Sequence, residues 1–242
     1  MAAPLLTTFS VFHVKKGRAR QALAQMGTLP PALKQVPGLQ FAKLMGCGRG
    51  KVFSILPDFY RYTLFATWAS ESACDQFFQE SEQMLQYRKL MAEAWTVKML
   101  PVQSHGVWDK ADPFSDFAEP VSSTELVAVL TRATIKPLKL FSFWKAAPKA
   151  NKALDDVNGM LCSIGAGELP FTRLATFSIW ESVKHMQEYA YKRAEHKAAI
   201  KGVRQQKWYS EEMFTRFRIL SSEGTWGGTD PIEKYRNSSV FG

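Results

Sequence analysis

The chain has 242 residues, 46% of them apolar and 13% aromatic, and carries a net charge of +9. That apolar content excludes a disordered chain, no apolar run approaches the roughly 18 residues of a membrane span, and three cysteines without CxxC spacing exclude a disulfide framework or a structural zinc site. The charge suits an acidic partner, whether nucleic acid, an anionic membrane surface or an acidic electron carrier, and it equally suits solubility alone.

In chain order, the start Met1-Ala2-Ala3-Pro4-Leu5-Leu6 lacks the basic region and long apolar core of a signal peptide. With cysteine usage that fits a reducing compartment, this gives an expected cytoplasmic location. Phe9 to Val14 reads as a strand and Gly17 to Gln35 as a helix stopped by Val36-Pro37-Gly38. Leu39 to Met45 is a strand running into the Gly46-Cys47-Gly48-Arg49-Gly50 turn, and Tyr60 to Trp68 is a third, rich in aromatic residues. Phe77, Met84, Leu85 and Met91 recur at helical spacing through Glu71 to Glu93, and Trp95 to Gln103 closes the set as a fourth strand.

An acidic, proline-containing stretch follows from Asp109, the composition of a linker, with Phe114 and Phe117 expected to tack it onto the surface. Beyond it the order repeats: strand Leu126 to Ile135, helix Lys139 to about Ala153, strands Met160 to Ile164 and Thr172 to Trp180, helix Ser182 to Lys207, strand Met213 to Ser221. Landmarks repeat as well. Phe65-Ala66-Thr67-Trp68 returns as Phe177-Ser178-Ile179-Trp180, Gly46-Cys47-Gly48 as Gly165-Ala166-Gly167, and Ser104-His105-Gly106-Val107-Trp108 as Ser222-Glu223-Gly224-Thr225-Trp226. Ordered matches of this kind indicate duplication. The reading is an α+β chain of two ferredoxin-like β-α-β-β-α-β modules, over 1–108 and 125–228, with a linker over 109–124 and a tail over 229–242.

Four histidines can be weighed singly. His196 shares an apolar helical stripe with Tyr189, Ile200 and Val203, and Arg193, Lys197, Lys192, Lys201 and Arg204 surround it with positive charge. An inward imidazole ringed by cations could hold a haem, the ring nitrogen on iron and the cations on propionates. A boundary histidine beside a solvated basic face is the alternative. His13 alternates with Phe9 and Val11 on a strand and is expected at a buried or interface position, while His105 and His185 lack metal-type partners. Cys47 and Cys162 are alternative iron ligands as thiolates. The glycine turns lack GxGxxG spacing, no GxSxG elbow is present, and the RNP1 pattern is absent, which demotes nucleotide, triad-hydrolase and nucleic-acid readings.

Several segments resemble the spheroidene monooxygenases of carotenoid biosynthesis. They are Leu130-Thr131-Arg132-Ala133-Thr134-Ile135, Thr176-Phe177-Ser178-Ile179-Trp180, the helix from Ala190-Tyr191 through His196 to Val203-Arg204, and Arg216-Phe217-Arg218 with Ser222 to Pro231. In the first half the likeness extends to Gln25-Met26-Gly27, Pro37-Gly38 with Lys43-Leu44, and Glu93-Ala94-Trp95-Thr96-Val97.

The resemblance implies a haem-dependent member of the dimeric α/β-barrel superfamily, with haem b on His196. It also implies oxygenation of an acyclic carotenoid such as spheroidene, hydroxyl first and then keto, with O2 and reduced ferredoxin. On this reading Arg132 is a distal polar group, with a surface or propionate-pairing arginine as the alternative; Arg193 and Lys197 meet the cofactor, and Phe177, Trp180, Trp208 and Phe217 shape an apolar chamber, with plain core as the alternative for each. A membrane-dissolved polyene adds an expectation of peripheral contact at the inner membrane surface. Monomer and homodimer stay open. A haem enzyme of the aldoxime dehydratase or peroxidase type, and a non-catalytic haem- or lipid-binding barrel, are the alternatives.

Overall fold

A computed structural model describes residues 4–50, 52, 54–114, 116–152, 157–192 and 208–235. The first module runs β1 (Leu6–Val14), α1 (Ala19–Leu33), β2 (Leu39–Gly48), β3 (Pro57–Trp68), α2 (Glu71–Glu80), α3 (Glu82–Leu90) and β4 (Met91–Gly106). The second runs β5 (Val127–Ile135), α4 (Leu140–Lys152), β6 (Met160–Leu169), β7 (Arg173–Trp180), α5 (Val183–Lys192) and β8 (Tyr209–Gly224). The α+β order expected from the sequence is thus present twice.

One helix is two. The apolar recurrence from Glu71 to Glu93 is interrupted at Ser81, whose backbone is extended with ψ 137°. Its hydroxyl donates to the Phe77 carbonyl at 2.7 Å and accepts from the Met84 N–H at 3.2 Å. One serine therefore ends α2 and caps α3. Strand β4 then starts at Met91, inside the stretch read as helix.

The eight strands close into a barrel in the order β1-β3-β2-β6-β7-β5-β8-β4. Two antiparallel seams join the modules. Strands β4 and β8 pair from Trp95 opposite Gly224 to Gly106 opposite Met213, whereas β2 and β6 meet only at Gly46–Gly167 and Cys47–Ala166. Closure leaves no unpaired sheet edge to template association.

Strand alternation sends Phe9, Phe65, Val97, Met99, Leu130, Phe177 and Phe217 into the barrel. Phe9 and Phe177 stack with centroids 4.0 Å apart, and Phe65 stacks on Trp108 at 5.3 Å. The interior is a packed core.

The barrel is plugged at both ends by a second copy of the repeat. The chain turns after β4 and β8 at Gly106 and Gly224, with φ of 91° and 85°, where a Cβ would overlap the carbonyls of Glu212 and Ala94. It then bridges Trp108 to Ala111 in one case and Trp226 to Thr229 in the other, and drops Phe114 and Ile232 into the core. Asp112 accepts from the Phe114 N–H at 3.0 Å, and Asp230 accepts from the Ile232 N–H at 3.1 Å. The segments read as a linker and a tail therefore begin as plugs. Phe114 is buried inside the barrel rather than on the surface, and only Phe117 is exposed.

Candidate functional site

Each module also has an outer sheet face, covered by its own helices. Strand register makes the two faces comparable: Phe9 pairs with Phe65 and Leu130 with Phe177, so Ser10 matches Thr131 and Leu64 matches Thr176. Continuing across the sheet, Leu44 pairs with Leu64 and Gly165 with Thr176, so Leu44 matches Gly165 and Ala42 matches Ser163. Ala66 corresponds to Ser178, and Lys98 to Arg216.

In the first module this face is apolar and sealed. Leu44, Leu64, Ala66, Phe12 and Trp68 join Leu29, Leu33, Phe77, Met84 and Tyr87 in one continuous cluster beneath α1, α2 and α3. In the second, the described residues form two separate clusters. Ile135, Leu174 and Trp208 pack with Phe143 and Ala147 of α4, and Val127, Val129 and Trp180 pack with Met186 of α5.

Between the two clusters runs a strip of small or polar residues, Thr131, Ser163, Gly165, Thr176 and Ser178, bordered on β8 by Phe214 and Arg216. Thr131, Thr176 and Ser178 are half-buried where Ser10, Leu64 and Ala66 are fully buried. The Arg216 guanidinium lies over the Phe214 ring at 5.5 Å, and its Nε is buried with no hydrogen-bond partner among the described residues. A buried donor left without an acceptor is costly, so this edge suits an anionic group. At the β6 side, a Cβ on Gly165 would overlap the Val52 carbonyl, so a glycine there lets the β2–β3 connection close over the strip.

The aromatic residues expected to share one chamber are split by the sheet. Phe177 and Phe217 face the barrel interior, while Trp180 and Trp208 lie on the outer face in different clusters. Arg132 also faces inward and is almost completely buried. Its guanidinium bonds Glu211, reaches Asp109 at 3.1 Å and Glu168 at 3.4 Å, and lies 5.7 Å from the Trp108 ring. Glu168 accepts from the Trp108 Nε1 at 2.8 Å and pairs with Lys43 at 3.1 Å, and Lys43 also pairs with Asp109.

Burial opposes the charge on Glu211, but the Lys110 and Asp109 N–H groups and Arg132 outweigh it and hold the carboxyl below its ordinary range. Burial likewise opposes the charge on Asp109, where Lys43, Arg132 and Arg173 prevail and lower it. This network anchors the Trp108 plug, with Arg132 on the opposite side of the sheet from the polar strip. Sequence reasoning missed it. Its signal was the continuation of the repeat past Trp108 and Trp226 into Ala111-Asp112-Pro113 and Thr229-Asp230-Pro231.

His196, Arg193 and Lys197 lie outside the described residues. His13 is exposed rather than buried and shares a cleft with Thr225, Trp226 and Gly227, where the two modules meet, and His185 is half-buried, its Nδ1 3.0 Å from the Ser182 hydroxyl. No group of three or more His, Cys, Asp or Glu able to hold a metal ion occurs among the described residues. Cys47 belongs to the barrel core and Cys162 packs against it. Burial pushes both thiols up to about 12, which leaves them neutral at physiological pH.

No family model matches the chain. A spheroidene monooxygenase of Cereibacter sphaeroides is 33% identical over 227 residues, covering 93% of this chain and 70% of the relative. One of Rubrivivax gelatinosus is 39% identical over 198 residues, covering 82% and 75%. The chain belongs to the spheroidene monooxygenase family. Among solved structures, an aldoxime dehydratase superposes with a TM-score of 0.56 at 8% identity, over 89% of this chain and 81% of that one, which shows a shared fold. Membership in the spheroidene monooxygenase family agrees with the resemblance carried by the Arg132, Phe177 and Arg216 segments.

Proposed function

We propose that this chain is a haem-dependent monooxygenase that adds oxygen to an acyclic carotenoid such as spheroidene, hydroxyl first and then keto, using O2 and reduced ferredoxin. Two things support the reading: the name shared by its relatives, and the divided outer face of the second module. The second observation is the support for a cofactor. A duplicated sheet that is sealed by leucines in one copy is relieved of them in the other, leaving a strip whose bordering guanidinium has an unsatisfied donor.

The residues present fit a flat anionic macrocycle. Arg216 would pair a propionate, and Arg193 and Lys197 are proposed to do the same. His196 is proposed as the iron ligand, the neutral thiols of Cys47 and Cys162 being turned to the barrel core. Bound there, haem would supply the O2 activation needed to oxidise an unactivated C–H bond. The chain's own part is to hold and enclose: Trp180 with Tyr189 at 5.2 Å and Phe143 with Trp208 at 5.7 Å wall the strip on either side. Phe177 and Phe217 stiffen the sheet from behind. Arg132 acts at a distance, by fixing the Trp108 plug.

The test is expression with ample haem supply, an absorption spectrum, and turnover of spheroidene with reduced ferredoxin under 18O2. Bound haem and a labelled hydroxylated product are expected, and the product should not form without reductant. His196→Ala should lose haem while keeping its near-UV circular dichroism. Haem retained in that variant refutes the ligand assignment, and a haem-free, active parent refutes the cofactor.

A further inference from the structure

The most exposed large apolar residues among the described residues gather at one end of the second module. Leu138 is 97% exposed and Phe141 83% exposed. Both sit at the entry to α4, where Pro137 opens a 3-10 turn and fixes the backbone that presents them. The β6–β7 hairpin adds Leu169 and Phe171, each about half exposed. Trp144 ties the two elements together: its indole Nε1 donates to the Phe171 carbonyl at 3.1 Å, and the two rings meet edge-on at 6.0 Å.

Positive charge dominates the α4 side of this patch, and Glu168 beside Leu169 is paired with Lys43. Lys136, Lys139 and Lys145 flank Leu138 and Phe141, and no acidic residue occurs from 134 to 152. Beside the patch, Leu169 and Arg173 form one wall of a cleft of about 400 Å³ whose other lining includes Leu33, Leu39 and Phe41. No helix among the described residues is long and apolar enough to cross a membrane.

We infer that this end of the barrel is a docking face for an anionic lipid bilayer. Leu138, Phe141 and Phe171 enter the acyl boundary, Trp144 lies at headgroup level, and the lysines pair lipid phosphates. An acidic protein partner would use the lysines but would not account for a leucine and a phenylalanine held almost wholly in water. The inference rests on the proposed function only for its purpose, since a polyene substrate would be dissolved in the same bilayer. The lipid contact itself follows from the surface.

The test is co-sedimentation of the full-length protein with substrate-free vesicles of phosphatidylcholine, with and without phosphatidylglycerol. Binding to the anionic vesicles that weakens with salt is expected. The double variant Leu138→Ser/Phe141→Ser should bind on the order of tenfold more weakly or worse, since two large side chains lose their burial. Lys139→Glu/Lys145→Glu should lose the anionic preference. Ile55→Ser/Leu56→Ser removes two apolar residues, each a little over half exposed, from the β2–β3 connection, and should bind like the parent.

Equal binding by parent and Leu138→Ser/Phe141→Ser overturns the inference, as does an equal loss in Ile55→Ser/Leu56→Ser. A change in oligomeric state without a change in vesicle binding also overturns it, and makes the face a protein interface. Turnover of detergent-dispersed carotenoid by Leu138→Ser/Phe141→Ser separates a failure of docking from a failure of the proposed activity.

Discussion

Replacing Asp230 with alanine should be among the most damaging single changes outside the strip. The carboxylate is buried and accepts the Trp95 Nε1–H at 2.9 Å and the Ile232 N–H at 3.1 Å on one oxygen, and the Ser222 hydroxyl at 2.6 Å on the other. Trp95 and Ile232 have no exposed surface, so alanine strands two donors with no water to replace the carboxylate. At about 1–3 kcal/mol for each unsatisfied buried group, the loss is about 4 kcal/mol. For a chain of this size that lowers Tm by roughly 8–16 °C.

The repeat supplies an internal control for this change. Asp112, at the equivalent position, is exposed and among the described residues accepts only the Phe114 N–H, so Asp112→Ala should cost about 0.5–1.5 kcal/mol. Asp230→Asn keeps an oxygen for the two shared donors and can donate to Ser222 through its amide, so most of the loss should be recovered. Urea unfolding followed by tryptophan fluorescence and far-UV circular dichroism measures all three variants. An Asp230→Ala cost no greater than that of Asp112→Ala would refute the plug as a closing element of the core.

Arg132→Met should destabilise by about 2–4 kcal/mol in the same assay. It leaves Glu211 without its guanidinium, while Lys43 still serves Asp109 and Glu168. The folded-state pKa values of Glu211 and Asp109 are lowered, so their contribution is complete above the ordinary carboxylate range of about 4 and is lost as pH falls through the lower folded values. Unfolding free energy measured from pH 6 down to pH 2 should fall with acid, and should fall less steeply in Glu211→Gln. An identical acid slope in that variant would remove Glu211 as a cause. Thr176→Leu, which installs the residue that seals the first module at Leu64, should leave stability near that of the parent while lowering haem occupancy. Full haem content in a folded Thr176→Leu protein would displace the cofactor from the strip.

What could be read from the sequence followed the range of the forces involved. Strand and helix order was legible because alternation in Phe65-Ala66-Thr67-Trp68 and its copy is a local signal. The Ser81 break was hidden, since a serine that caps one helix and ends another sits inside an unbroken apolar recurrence. Barrel closure through Gly46–Gly167 involves residues far apart in the chain that carry no side-chain signature. The plugs were visible as repeated Asp-Pro steps, but the acidic composition around them resembles that of a solvated linker. Arg132 was read as a distal polar group, whereas it is a buried cation of the plug network. Its partners, contributed by β6, β8 and the plug, could be named only once the strands had closed.

The candidate site was harder to see because it is defined by subtraction. Matching Gly165 to Gly46, as the sequence invites, hides that strand pairing sets Gly165 against Leu44. With that register, the replacement of Leu44 by Gly165, Leu64 by Thr176 and Ala66 by Ser178 falls on one face of two adjacent strands. Each change removes apolar area that the other copy buries, and each is by itself an ordinary substitution. Duplicated modules folded on one plan should seal both faces, because leaving one open forfeits burial that the first module achieves. A face on which Thr176 and Ser178 stand in one copy where Leu64 and Ala66 seal the other, with a buried guanidinium nitrogen unpartnered among the described residues beside it, is the arrangement expected where stability has been exchanged for a bound group.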